Sequence, residues 1–193
     1  MNEVEESLDI DCRTGIVKPL KQVLSPNFDE RPQGTEVDVL VIHAISLPPQ
    51  CYGGYYVEKL FTNCLDPRDH PYFEDIHTLK VSSHFFIDRV GFIIQFVPTT
   101  HRAWHAGVSR IGNREGVNDF SIGIELEGCD DDGFEDLQYV SLSQLTRCLR
   151  AAYPSIIPSH IVGHSDIAPG RKTDPGPGFD WQRYRQEFMC LDQ

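Results

Sequence analysis

Apolar residues alternate with polar ones, or cluster in short β-branched runs, in four parts of the chain. Residues 37–43 form a β-branched run long enough for a buried strand. Residues 83–88 and 91–97 are two further apolar runs, and the few residues between them predict a tight antiparallel hairpin. Residues 120–127 alternate cleanly, so the pattern predicts a strand whose Glu125 side chain points away from the main core.

Helical spacing of apolar residues predicts helices that cover this sheet. The spacing is clearest in residues 142–152 and 181–188, and residues 55–61 can form a further helix. Strands and helices are mixed along the chain and include at least one hairpin. The pattern therefore predicts an α/β domain of mixed α+β type, with a central mixed β-sheet flanked by helices.

Length and composition favour one domain. A chain of 193 residues suits a single domain. Residues 1–36 lack sustained periodicity, so we expect an irregular N-terminal lead-in that packs on a catalytic domain spanning residues 37–190. The apolar runs are all shorter than the ~18 residues that a membrane-spanning helix needs, so no membrane association is expected.

Charge and cysteine content narrow the possible partners. The net charge of −12 argues against nucleic acid, because nucleic-acid binding normally requires a basic surface. The acidic N-terminus lacks the basic start and apolar middle of a secretion signal, which predicts a cytoplasmic protein. The six cysteines are scattered without a Cys-x-x-Cys pair, so we expect reduced thiols. No obligate protein partner is evident.

A loop near the C-terminus carries the strongest chemical signal. Residues 163–176 combine a histidine, two aspartates and a lysine with prolines and glycines that restrict the backbone. A catalytic zinc ion typically has three protein ligands and one open position, so His164 and Asp174 need a third donor, for which His43 is the best choice. Asp166 competes with Asp174, but it lies two residues from His164, where a turn cap is the expected role.

Several segments together carry a family resemblance. They are residues 41–43 (VIH), 45–49 (ISLPP), 70–73 (HPYF), 102–108 (RAWHAGV), 118–128 (NDFSIGIELEG) and 163–176 (GHSDIAPGRKTDPG). In this order they resemble the AmpD group of zinc-dependent N-acetylmuramoyl-L-alanine amidases, within the family related to phage T7 lysozyme and the peptidoglycan recognition proteins. One departure is Ala44, where relatives usually carry asparagine after the first histidine.

The resemblance implies roles for individual residues. It implies a Zn²⁺ ion bound by His43, His164 and Asp174. It also implies that Glu125 is the general base, which takes a proton from the attacking water and delivers it to the departing amine. The Lys172 ammonium group is then expected near the metal and the developing oxyanion.

Other polar residues are expected to border the substrate or to compete for these roles. The possible substrate contacts are Tyr72, Lys80, Trp104, His105, Arg114 and Asn118. Glu127 lies on the same strand face as Glu125 and is its rival as the base, although a salt bridge suits it better. His84 lies in an apolar strand and is more typical of a core histidine than of a ligand.

The implied reaction is hydrolysis of the bond between the lactyl group of N-acetylmuramic acid and L-alanine. The resemblance points to a small-molecule muropeptide with the 1,6-anhydro sugar, in cytoplasmic peptidoglycan recycling. One alternative is a broader amidase that acts on intact peptidoglycan, and another is a module that binds muropeptides without cleaving them. A third is a structural zinc site, in which His84 or His105 would be a fourth ligand.

Overall fold

The computed structural model describes residues 7–189, which contain twelve β-strands and five α-helices. The strands are β1 (Asp9–Asp11), β2 (Ile16–Lys18), β3 (Lys21–Gln22), β4 (Phe28–Glu30), β5 (Val39–Ile45), β6 (Phe85–Ile87), β7 (Ile93–Gln95), β8 (His101–Ala103), β9 (Arg110–Ile111), β10 (Arg114–Glu115), β11 (Ser121–Glu127) and β12 (Ile161–Gly163). The helices are α1 (Tyr56–Phe61), α2 (Phe73–Ile76), α3 (Asp136–Ala152), α4 (His164–Ile167) and α5 (Trp181–Met189). Two 3₁₀ turns, Val117–Phe120 and Pro158–His160, precede β11 and β12.

Six strands form a central mixed sheet in the order β12-β5-β11-β6-β7-β3. Strand β5 runs parallel to both of its neighbours, β12 and β11. Strands β6 and β7 pair in an antiparallel hairpin, whereas β6 is parallel to β11 and β3 is parallel to β7. The predicted fold class and hairpin are therefore confirmed.

Side-chain alternation gives the two faces of this sheet different environments. Ile42 of β5 and Ile124 of β11 are fully buried in the main core, together with apolar residues of α3 and α5. Val41 belongs to a different cluster on the opposite face. Because side chains alternate along a strand, His43 and Glu125 also lie on that opposite face. The parallel register places Glu125 directly beside His43.

The segment before residue 37 contains four short strands that the sequence pattern did not predict. Strand β3 extends the central sheet, β4 pairs with β8, and β1 and β2 pair with each other. The side chain of Val17 is fully buried in the main core. Strands of two or three residues are too short to show a hydrophobic period. The domain boundary at residue 37 stays a prediction.

Five cysteines lie within residues 7–189, and all five are free thiols, whereas Cys190 lies outside the described residues. None of the helices in that range has the length and apolar character needed to cross a membrane.

Gln95 connects the N-terminal segment to the central sheet. Its side chain is fully buried, its Oε1 accepts a hydrogen bond from the Val17 N–H at 2.9 Å, and its Nε2 donates to the Gly15 carbonyl at 2.7 Å. Replacing Gln95 by leucine removes both hydrogen bonds and leaves the Val17 N–H without this acceptor, whereas the Gly15 carbonyl still accepts from the Thr99 N–H at 3.0 Å. We expect Gln95→Leu to lower the free energy of unfolding by about 1–3 kcal/mol, measured by urea denaturation.

The matched control is Gln33→Leu, because Gln33 is exposed. We expect that change to alter the free energy of unfolding by less than about 0.5 kcal/mol. Equal effects of the two substitutions would show that the Gln95 hydrogen bonds do not stabilise the N-terminal segment.

Candidate metal centre and active site

Three side chains converge at the end of the parallel strands with the geometry of metal ligands. His43 Nδ1 lies 3.0 Å from His164 Nδ1, and Asp174 Oδ2 lies 3.1 Å from each of these nitrogens. Ligands about 2.0–2.1 Å from a tetrahedral zinc ion are about 3.3 Å apart, so this triangle fits zinc closely. We call these three residues the ligand triad.

Strand pairing explains why the triad forms. Strand β12 pairs with β5 so that Gly163 lies beside Ile42. The next residue in each segment is a histidine of the triad, His43 within β5 and His164 at the start of α4. The carboxyl ends of parallel strands meet at one edge of a sheet, which brings His43 and His164 together. The loop after α4 then returns, and the Asp174 carbonyl accepts a hydrogen bond from the Ser165 N–H at 3.0 Å.

The electrostatic surroundings favour the protonation states that bind metal. Burial lowers the pKa of His43 to about 4, although Asp174 partly opposes this effect, so its imidazole is neutral at pH 7. Burial raises the pKa of Asp174, but its contacts with His164 and His43 outweigh burial and hold that pKa well below its usual range. The triad therefore presents a neutral imidazole and a carboxylate at neutral pH.

Glu125 lies beside the triad as a buried carboxyl group. Its Oε1 is 4.0 Å from His43 Nδ1, and its Oε2 has no hydrogen-bond partner among residues 7–189. Burial raises the pKa of Glu125 well above its usual range; the nearby Asp174 carboxylate adds to this effect and Lys172 opposes it. A buried carboxyl group with a raised pKa accepts a proton more readily than an exposed one, which suits a proton carrier.

A cavity of about 500 Å³ opens onto this group of residues. Its lining includes Glu125, His164, Asp174 and Lys172, which we call the floor of the cavity. It also includes six apolar residues, which we call the apolar wall: Leu47, Leu60, Phe61, Ile76, Leu79 and Val81. Cys129, Asp130 and Asp131, which follow the end of β11, form what we call the acidic side of the lining. We call this cavity the active-site pocket.

The structure brings only some of the predicted substrate contacts to this pocket. Tyr72, Trp104 and His105 line it, together with Glu125 and Lys172. Lys80, Arg114 and Asn118 do not belong to its lining.

Arg114 and Asn118 have other contacts in the structure. The Arg114 guanidinium pairs with the Asp38 carboxylate at 2.5 Å and lies 3.6 Å from the centre of the Phe120 ring. Asn118 Oδ1 accepts hydrogen bonds from the backbone N–H groups of His105 and Ala106. These two side chains therefore contact protein groups rather than the space that a ligand would fill.

The rival residues have other partners. Glu127 accepts hydrogen bonds from the Gly53 and Arg89 N–H groups, and Asp166 accepts one from the Gly163 N–H at 2.7 Å, as expected of a turn cap. His84 Nδ1 accepts a hydrogen bond from the Gly123 N–H, so it holds two strands together.

His105 reaches His43 on the nitrogen that faces away from the triad. Its Nδ1 lies 2.9 Å from His43 Nε2. Neither His84 nor His105 joins the triad, which offers three candidate ligand atoms within residues 7–189. This donor count is typical of a catalytic zinc site rather than a closed structural site.

Sequence reasoning missed the apolar wall and the acidic side of the pocket. The wall is assembled from three separate parts of the chain, residues 47, 60–61 and 76–81, and no local pattern marks them as neighbours. The acidic residues follow directly after β11, so only their position at the carboxyl end of a central strand could have drawn attention to them.

Comparison with known proteins identifies the family. The family model for N-acetylmuramoyl-L-alanine amidase matches residues 33–177. The chain belongs to the N-acetylmuramoyl-L-alanine amidase family. This membership confirms the resemblance seen in the sequence, and it makes the chain an amidase by family.

Individual relatives agree with this assignment. The 1,6-anhydro-N-acetylmuramyl-L-alanine amidase AmpD of Haemophilus influenzae is 50% identical over 184 residues, which cover 95% of this chain and 96% of the relative. The crystal structure of a selenomethionine AmpD derivative has a TM-score of 0.89 and 49% identity, covering 92% of this chain and 98% of that one. A complex of Escherichia coli AmiD with anhydro-N-acetylmuramic acid-L-Ala-D-γ-Glu-L-Lys has a TM-score of 0.58 and 33% identity, covering 82% and 60%.

Asp174 and Asp166 allow a direct test of the ligand triad. We expect Asp174→Ala to reduce bound zinc from about one ion per chain to near zero, because two histidines alone form an incomplete site. Zinc content is measured by elemental mass spectrometry after gel filtration in excess Zn²⁺.

Asp166→Asn is the matched control. Its amide oxygen can still accept the Gly163 hydrogen bond, so zinc content should stay near that of the unmodified protein. Loss of zinc in Asp166→Asn but not in Asp174→Ala would show that Asp166, and not Asp174, is the acidic ligand.

Proposed function

We propose that this chain is a zinc-dependent amidase that hydrolyses the bond between the lactyl group of 1,6-anhydro-N-acetylmuramic acid and L-alanine in muropeptides. The observation that carries the proposal is the buried, unpartnered Glu125 carboxyl group beside a triad of three protein ligands. Family membership supports the reaction, and the names of the AmpD relatives support the anhydro sugar.

The donor set of the triad suits zinc. Two imidazole nitrogens and one carboxylate oxygen are borderline ligands, and three of them leave a fourth coordination position open. When bound at such a site, zinc supplies Lewis acidity, which polarises a carbonyl group and lowers the pKa of water to around 7. The identity of the metal is part of the proposal.

Glu125 is suited to carry the proton. Its unpartnered Oε2 accepts a proton from the attacking water, and the raised pKa of the carboxyl group stabilises the protonated form. The same oxygen then returns the proton to the nitrogen of the departing L-alanine residue. One carboxyl group thus acts first as the base and then as the acid.

Lys172 supplies positive charge on the floor of the pocket. Its charge contributes to lowering the pKa of His43 and opposes the burial that raises the pKa of Glu125. Lys172 also lines the active-site pocket together with Glu125 and Asp174. Negative charge that develops on the amide oxygen is stabilised by a cation held nearby. The adjacent Arg171 is already engaged, because it donates hydrogen bonds to the Ala106 and Val108 carbonyls.

The pocket dimensions suit a fragment rather than a polymer. About 500 Å³ accommodates one sugar and a few amino-acid residues, and the apolar wall offers contact for the less polar faces of an anhydro sugar and an alanine methyl group. AmiD, a relative by sequence, binds an anhydromuropeptide in its solved complex. Cytoplasmic recycling of such fragments stays a prediction, as does the lack of nucleic-acid and protein partners.

Glu125→Gln tests the catalytic assignment. We expect kcat for release of free peptide from a soluble anhydromuropeptide to fall by about 10²–10⁴-fold, because glutamine cannot accept the proton. Zinc content should remain unchanged, since Glu125 is not part of the triad. Peptide release is followed by mass spectrometry.

Glu127→Gln is the control on the same strand, two residues away. Both of its carboxylate oxygens accept backbone hydrogen bonds. The substitution should therefore lower the thermal unfolding temperature and leave kcat nearly unchanged. If Glu125→Gln retained full activity while Glu127→Gln lost it, the role of general base would belong to Glu127.

A further inference from the structure

Two consecutive residues lie behind both histidine ligands of the triad. His105 Nδ1 is 2.9 Å from His43 Nε2, and the Ala106 carbonyl oxygen is 3.1 Å from His164 Nε2. In each ligand, Nε2 is the nitrogen that faces away from the triad, because Nδ1 is the donor to the metal site. We call His105 and Ala106 the backing pair.

We propose that the backing pair, anchored by Asn118, fixes the tautomer and ring orientation of both histidine ligands, so that His105 and Asn118 are positioning residues for metal binding. This inference rests on the proposed function only in requiring a metal ion at the triad. It assigns His105 a role different from the substrate contact that its sequence context suggests.

Hydrogen-bond directions are consistent from the two histidines of the triad to the backing pair. Arg171 Nη2 lies 3.5 Å from His164 Nε2, and both groups donate to the Ala106 carbonyl instead of to each other. A metal ion on Nδ1 of a neutral imidazole leaves the proton on Nε2, which must then donate. For His164 the partner is the Ala106 carbonyl, which can only accept. For His43 the partner is His105 Nδ1, which must therefore be unprotonated.

The remaining proton of His105 also finds a partner. With Nδ1 as the acceptor, a neutral His105 carries its proton on Nε2, which lies 3.1 Å from Ser121 Oγ. One tautomer of His105 thus satisfies both of its ring nitrogens. With a metal ion on His43 Nδ1, the other neutral tautomer of His105 would set two N–H donors against each other.

Strand β11 is shaped to receive the His105 ring. A Cβ atom on Gly123 would lie 2.5 Å from His105 Cγ and 2.7 Å from His105 Nδ1, so only glycine fits at this position. Gly123 lies between Ser121, which receives the ring proton, and Glu125. The strand that carries the proposed general base, β11, therefore also packs against the His105 ring.

The backbone of the backing pair is held from two sides. Asn118 Oδ1 accepts hydrogen bonds from the His105 N–H at 3.2 Å and from the Ala106 N–H at 2.8 Å. On the other side, Arg171 donates to the Ala106 carbonyl at 2.7 Å. Loss of the Asn118 acceptor would free the pair to shift, and both ligand histidines would lose their fixed orientation.

The test measures zinc affinity of the metal-stripped protein by competition with a chromophoric chelator. We expect His105→Phe and Asn118→Ala each to raise the Kd for Zn²⁺ by about 10–100-fold, the effect typical of losing a partner that orients a metal ligand. Asn118→Asp retains an acceptor oxygen and should bind zinc nearly as tightly as the unmodified protein. His105→Gln, which can accept from His43 and donate to Ser121, should recover part of the loss.

His160→Gln is the control for removal of a histidine, because the His160 ring contacts the Asp38 carbonyl instead of the triad. Thermal unfolding of each metal-stripped variant separates lost affinity from lost folding. Unchanged zinc affinity in folded His105→Phe and Asn118→Ala would overturn the proposal.

A second measurement needs no variant. Nitrogen-15 NMR of the zinc-loaded, unmodified protein should show His105 protonated on Nε2 and unprotonated on Nδ1. The opposite tautomer would contradict the proposed hydrogen-bond directions, whatever the behaviour of the variants. If zinc affinity and tautomers agree with the proposal but no muropeptide is cleaved, the proposed function fails while the backing pair stands.

Discussion

The convergence of His43, His164 and Asp174 is the constraint on which the rest of the site depends. Three donor atoms lie 3.0–3.1 Å apart, and the two imidazoles are almost completely buried. Buried polar groups at this spacing are costly unless each has a partner, and a metal ion satisfies all three at once. The arrangement requires β5 and β12 to be parallel neighbours in the right register, so the sheet topology is inseparable from the chemistry.

Strand β11 connects this constraint to catalysis. Its register with β5 places Glu125 beside His43. On the same face of β11, Gly123 has no side chain, and the His105 ring occupies the space that this leaves. The opposite face of the same strand packs in the main core with α3 and α5. A rigid core on one face therefore fixes the positions of the proposed base, the candidate metal ligands and the residues behind them on the other face.

Local sequence patterns predicted the strands, helices and loops better than the tertiary contacts between them. The β-branched run before His43, the alternation around Glu125 and the proline- and glycine-rich loop around Asp174 are local patterns, and each predicted an element or loop that the structure contains. Asn118 shows the limit, since its role depends on a backbone 12 and 13 residues away that only the fold brings close. The short strands β3 and β4 were not predicted for a related reason, because their pairing partners are distant in sequence.

The most direct test of the proposed function compares substrates. The zinc-loaded protein is incubated separately with a soluble 1,6-anhydromuropeptide, the same muropeptide with an open reducing sugar, and intact peptidoglycan, and released peptide is quantified by mass spectrometry. We expect rapid release of peptide from the anhydromuropeptide. We expect little release of peptide from intact peptidoglycan, because the pocket of about 500 Å³ suits a fragment. Equal release from intact peptidoglycan would indicate a broad wall amidase, and binding without release would contradict catalysis by Glu125.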